Sequence, residues 1–348
     1  MVAESNESFY TRWTNFPFAP AKVPFFYGWV IVAISTLFIV CSIPGQTTGV
    51  GPFTEPLIVA LGISRQGLSN AYMVGTITSG LILPYSGKLL DKIGVRFMCV
   101  FSAGGLALSL LFFSNAGIIR NYLDSDNSSK VLAFAVASLA FLLIRFFGQG
   151  NMTMVGRVAM ARWFNHWRGT ATAISGVPVV FAFSSAPLLM SMVIKNFGWR
   201  QGCWFLALII GGVLTVIGLI FFRDKPEDCG LRMDGLSAEK AKEKGDTQLH
   251  KVRHEFTRSE AIRTLGFWGF SLGMAINALY ITAIYFHITS IAKEVGRIED
   301  KAMLVFLFSS FIAIPTRFAV SYLVDNTRFE IRWVLLCMSA LTFGMILG

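Results

Sequence analysis

Gly87-Lys-Leu-Leu-Asp91-Lys92-Ile-Gly94-Val-Arg96 is a charged decapeptide set between two long apolar runs, 68–87 and 96–115. A bilayer core about 30 Å thick needs roughly 20 apolar residues per crossing helix. Each flanking run meets that length, so the decapeptide reads as a short turn joining two membrane spans.

The same pattern repeats outward from this turn. Further apolar runs lie at 25–45, 131–157, 169–194, 199–222, 262–291, 301–324 and 332–348. The chain is 54% apolar and 14% charged, with mean hydropathy +0.60. Soluble domains carry roughly 25% charge, so an ordinary soluble domain is excluded and a polytopic, all-α membrane protein is expected. Residues 1–24 are mostly polar or aromatic and hold no apolar core of a secretory signal, so the first span is expected to be retained. Pro44-Gly45-Gln46 interrupts that span and the semi-apolar run 53–62 follows it, which predicts a helix that kinks and continues. Pro84, Pro178, Pro187 and Pro315 fall inside other spans, where neighbouring helices cover the freed backbone.

Residues 223–261, with RDKPEDCGLRMDG and the Lys/Glu-rich AEKAKEKGD, form the one long polar break. It divides the chain into a 1–24 N-terminal segment, a six-helix bundle at 25–222, a linker at 223–261 and about three helices at 262–348. Formal charge is +10, yet the basic residues sit in loops between spans. Membrane topology therefore explains them, and a nucleic-acid partner is not expected. Lys and Arg gather in the alternate loops that include the N-terminus and the linker, which places the N-terminus in the cytoplasm and the protein in the plasma (inner) membrane. The five cysteines, Cys41, Cys99, Cys203, Cys229 and Cys337, show no CxxC pair and no metal-ligand spacing. No nucleotide loop or nucleophile elbow is present, so no cofactor, metal, catalytic residue or enzymatic activity is expected.

The decapeptide resembles the loop between the second and third helices of the major facilitator superfamily, GxxxD(R/K)xGxR, at the matching place in the topology. Its residues Gly87, Asp91, Lys92, Gly94 and Arg96 carry the likeness. Gly87 would let another helix approach, Asp91 would stabilise a helix N-terminus through its dipole, and Lys92 and Arg96 would hold the loop at the inner interface. A weaker copy, Ser321-Tyr-Leu-Val-Asp325-Asn-Thr-Arg328, follows six spans later. The resemblance implies a bundle of two parallel six-helix halves, and against it the chain ends after about nine helices, so helices 10–12 are expected to be missing.

Arg145, in Leu-Leu-Ile-Arg145-Phe-Phe-Gly148-Gln149-Gly150-Asn151, stands in the middle of the fourth span. A charge there costs about 3 to over 10 kcal/mol, so it should face a wet cavity rather than lipid. The RFFGQG form, Tyr27-Gly28-Trp29, the stretch 51–69, the turn at 161–169 and 223–235 together resemble the monocarboxylate transporter and oxalate–formate antiporter branch. In that branch an arginine at the spacing of Arg317 from Asp325 is implied in gripping a substrate carboxylate. The branch's acidic partner falls on Ala313 here, and its helix-1 lysine falls near Gln46 or Thr47. Gln46, Gln149, Asn151, Asn277 and Tyr280 complete the candidate contacts, with Tyr72 and His287 weaker. Gln149 lies one turn from Arg145 and can face the same cavity.

The expected function is secondary transport of a small organic anion, a carboxylate, by alternating access with a coupled proton or a counter-anion. Two alternatives stand beside it: a carrier of an uncharged solute or drug, and a truncated membrane protein that transports nothing.

Overall fold

The computed structural model describes residues 14–124, 129–235, 256–296 and 299–326. Among them all regular structure is helical. The chain divides into two units, Met1–Gly235 and Leu236–Gly348.

In the first unit, α1 spans Gly28–Cys41 and then breaks, as the Pro44-Gly45 pair predicts. Ile43–Gly45 is a 3-10 turn, Thr47–Val50 a single α turn, Gly51–Phe53 another 3-10 turn, and Thr54–Leu61 resumes the helix. A helical run Arg65–Leu123 of 59 residues follows. Straight, it would be about 89 Å long at 1.5 Å per residue, roughly three hydrocarbon cores. It is divided at Gly94, whose φ of 80° and ψ of 167° lie outside helical space, into α2 (65–93) and α3 (95–123). α4 is Lys130–Trp163, α5 is Arg168–Phe197 and α6 is Trp199–Phe221. Ser64 and Ser129 cap α2 and α4, accepting from the amides of Gly67 and Leu132.

Within α4, residues Arg145–Met152 form a π-helical segment, and Ile209–Leu214 form another in α6. Neither was visible in the sequence, because apolar periodicity does not distinguish a π turn from an α turn.

The packing is that of a protein dissolved in lipid. Leu81, Leu108 and Leu208 are each 69% exposed, whereas Ser35, Ser102, Ser114 and Asn151 are completely buried. Five helical runs among the described residues are long and apolar enough to cross a bilayer. Small polar links replace much of the hydrophobic driving force that water would supply. Thr36 donates to Ser175 Oγ at 2.7 Å between α1 and α5, and Trp204 Nε1 donates to Ser114 Oγ at 2.9 Å between α6 and α3. This is a multi-pass membrane protein.

The basal end of the unit, where residues 16–27 and 222–235 lie, is fastened by charge-assisted hydrogen bonds. Arg96 donates to the Leu219 carbonyl at 2.6 Å and to the Phe16 carbonyl at 2.7 Å. Arg223 donates to the Phe16 and Phe18 carbonyls at 2.9 and 3.2 Å. The Asp234 carboxylate accepts from the amides of Asn165, His166 and Trp167 at 2.8 to 3.2 Å, capping the start of α5. The beginning of the long polar break is thus folded onto the first unit.

The second unit holds a short turn Arg258–Ile262, α7 at Leu265–Glu294 and α8 at Glu299–Asn326. Thr257 and Glu260 form a capping box at the short turn. Tyr285 and Phe306 stack at 4.0 Å between α7 and α8. The span expected at 332–348 lies outside the described residues.

Replacing Asp234 with Ala removes the acceptor for three amides and should cost about 1 to 2 kcal/mol. Melting of the purified protein in detergent should shift down by several degrees, while Asp234→Asn, which tolerates the positive φ, should lose less.

Candidate functional site

The site begins with the break in α1. Unwinding at Pro44 frees backbone carbonyls that a bilayer cannot satisfy, so another element must supply donors. Arg145 supplies one. Its Nη1 donates to the Gly45 carbonyl at 3.2 Å and to Thr47 Oγ1 at 3.3 Å. Thr47 Oγ1 lies 2.8 Å from the Tyr72 hydroxyl, and the Arg145 guanidinium carbon sits 5.2 Å from the centre of the Tyr72 ring. The guanidinium is therefore bounded by a hydroxyl pair and an aromatic face. Arg145 is 5% exposed, and its Nε is buried without a hydrogen-bond partner among the described residues. Among the described residues it forms no ion pair with a carboxylate.

Close helix approach makes this contact possible. A Cβ on Gly45 would stand 2.7 Å from Gly148 Cα, and one on Gly148 would stand 2.8 Å from Gly45 Cα. The two glycines let the broken α1 lie directly on the π-helical segment of α4, where backbone geometry frequently serves a functional site.

The other candidates distribute unevenly. Gln46 is buried and donates to Ser42 Oγ at 2.9 Å and to Thr153 Oγ1 at 3.2 Å, making a second link between the α1 break and α4, eight residues along α4 from Arg145. Asn151 is fully buried. Its Nδ2 donates to the Phe146 carbonyl at 2.9 Å, and its Oδ1 has no hydrogen-bond partner among the described residues. Gln149, expected to share Arg145's surroundings, is exposed while Arg145 is buried, so the two do not sit in one buried cluster. In the second unit Asn277 donates to the Gly273 carbonyl at 2.9 Å, and Tyr280 is half-buried. Arg317 and Asp325 fall on α8, but their side chains lie outside the described residues, as does Arg328.

The decapeptide 87–96 is built differently from what its sequence implies. Asp91 pairs with Arg162 at 3.0 Å, at the end of α4. Asp224, not Asp91, caps the α3 N-terminus: its carboxylate accepts from the Val95 amide and lies 3.7 Å from Arg162. A Cβ on Gly94 would run into the Asp224 carboxylate, which explains glycine there as well as its positive φ does. Burial pushes the Asp224 carboxyl above the usual carboxylate range, and the Val95 amide and Arg162 pull it back. Arg96 is buried among carbonyls rather than facing an interface, and Lys92 is exposed. Nothing among the described residues comes within 4 Å of a Cβ built on Gly87.

Arg162, Asp224, Asp234 and Arg223 were not singled out by sequence reasoning. Their partners lie as far as 207 residues away in the chain, and no local spacing encodes such pairs.

A family of membrane carriers now accounts for the pieces together: an apolar helical bundle, a first span broken over a buried arginine, and a charged turn between the second and third spans. The Major Facilitator Superfamily profile matches residues 17–348, and the chain belongs to that family. It is a membrane transporter with a small-molecule substrate. Comparison with curated proteins returns no match.

Gly45→Ala should force the α1–α4 contact apart and leave little monodisperse protein on size-exclusion chromatography. Gly104→Ala, where a Cβ meets nothing within 4 Å, should behave as wild type in the same run.

Proposed function

We propose that the protein carries a small organic anion, a carboxylate, by alternating access, with Arg145 as its principal contact. One observation carries this reading: a guanidinium that is 5% exposed in the middle of a span without a carboxylate partner among the described residues. Removing one member of a buried charge pair commonly costs 3–5 kcal/mol. A substrate anion supplies the missing partner, and the loaded site then crosses between states with no net buried charge. A co-transported proton or an exchanged counter-anion completes the cycle.

Gln46, Asn151 and Gln149 are proposed as further polar contacts of the first unit. For the second unit, Arg317, Asn277 and Tyr280 are proposed on the sequence argument. Gly87, Asp91, Lys92, Gly94 and Arg96, with Asp325, are proposed as the gating motif, an idea supported by the Asp91–Arg162 pair at the ends of α2 and α4. The branch resemblance supports a carboxylate over other anions, and the basic loops support an N-terminus on the cytoplasmic side of the plasma membrane.

A second reading has an observation of its own. Arg145 Nη1 satisfies the freed Gly45 carbonyl, which is work a purely structural arginine would do in a carrier of an uncharged solute. Arg145→Gln separates the two. If the anion reading holds, the variant's Michaelis constant for carboxylates in proteoliposome uptake rises by about tenfold or more, while that for uncharged solutes is unmoved. Equal loss for both classes would favour the structural role.

A further inference from the structure

The guanidinium of Arg145 has two edges that can hold a carboxylate: the end formed by Nη1 and Nη2, and the side formed by Nε and Nη2. The first is blocked. Nη1 is engaged by two protein acceptors, the Gly45 carbonyl at 3.2 Å and Thr47 Oγ1 at 3.3 Å. The second carries no protein acceptor: among the described residues the buried Nε has no hydrogen-bond partner, and Nη2 donates to none of them. A buried donor left unmade costs about 1–3 kcal/mol, so an edge of this kind is a place where a ligand gains more than it would from an already satisfied group.

We infer that Arg145 takes one carboxylate group side-on, through Nε–H and Nη2–H, and that Thr47 and Tyr72 are the positioning residues that reserve this edge. The inference rests on the reading of Arg145 as the anion contact and adds the geometry of its grip. Thr47 Oγ1 accepts from Nη1 and is itself fixed by the Tyr72 hydroxyl at 2.8 Å. The guanidinium carbon lies over the Tyr72 ring, 5.2 Å from its centre, and Phe141, edge-on to Tyr72 at 5.2 Å, backs that ring. Rotation of the fork is thereby restrained from one edge and one face, leaving the Nε side for the ligand. Two parallel N–H groups match the two oxygens of a planar carboxylate. An amide offers one oxygen and a competing NH2, so it meets one donor and repels the other. A lysine at 145 would keep the charge but lose the fork.

The test uses the full chain purified in detergent, with propionate as probe and propionamide as its uncharged counterpart, read as the ligand-induced shift in melting temperature over a concentration series. Wild type should be stabilised by propionate and not by propionamide. Tyr72→Phe, which removes only the hydroxyl, and Thr47→Val should each raise the apparent dissociation constant for propionate about three- to tenfold. Thr47→Ser, which keeps the acceptor, should restore it. Arg145→Lys should behave like Arg145→Gln rather than like wild type. Ligand-free melting temperatures establish that each variant is folded, and Tyr72→Phe carries the comparison if Thr47→Val is not. If Arg145→Gln abolishes propionate binding while Tyr72→Phe and Thr47→Val bind as wild type, the side-on geometry is overturned and the anion reading survives. If Arg145→Gln binds as wild type, or propionate fails to stabilise wild type at all, both are overturned.

Discussion

A guanidinium buried inside a lipid-dissolved bundle and a helix broken at mid-span are each unfavourable alone, and in this protein each answers the other. The break at Pro44-Gly45 exposes a carbonyl that water cannot reach, and Arg145 brings donors that need acceptors. Their meeting at 3.2 Å requires α1 and α4 to approach until two glycine backbones touch, which is why Gly45 and Gly148 have no side chains. The π-helical segment from Arg145 to Met152 belongs to the same compromise, since an added residue per turn re-aims side chains on one stretch of α4. The contact uses only part of the arginine. Among the described residues no carboxylate pairs with the remaining donors, and that imbalance is what a carrier of anions can exploit.

At the basal end the same constraint operates with helix termini in place of a broken middle. Each helix end leaves unpaired amides or carbonyls, and here distant charged side chains satisfy them: Asp224 at α3, Asp234 at α5 and Arg96 on the Leu219 carbonyl of α6, while Arg96 and Arg223 also tie down the carbonyls of the N-terminal segment. Counted by composition, these residues are simply loop charges of the kind that set topology. In the folded chain they are caps and ties. Arg162, placed between Asp91 and Asp224, joins the family's charged turn to this framework, so that the turn's geometry depends on α4 and on residues after α6 as well as on its own ten residues.

Much of the architecture was legible because lipid imposes a simple rule. Every span must be long, apolar and internally hydrogen-bonded, so apolar runs locate helices almost directly. The runs 68–87 and 96–115 became α2 and α3 with the break at Gly94, and the kink at Pro44-Gly45 fell where proline chemistry demands. Arg145 was legible for the same reason, since a charge in such a run is too costly to be incidental. What stayed hidden was pairing at a distance. That Gln149 would be exposed while Arg145, four residues earlier, is buried depends on the neighbours α4 meets. That Asp224 rather than Asp91 caps α3 depends on where α6 ends in space.

The sequence by itself therefore determined the solvent, the positions of the described spans, the breaks at Pro44-Gly45 and Gly94 and the residue whose charge had to be explained, because these follow from composition along one dimension and the cost of polar groups in hydrocarbon. Only the tertiary structure decided which donors of Arg145 are occupied, which hydroxyls hold them, and which aspartates close the helix ends. Those are properties of contacts between segments up to 129 residues apart, and a hydrogen bond exists only where the fold brings donor and acceptor within about 3 Å of each other.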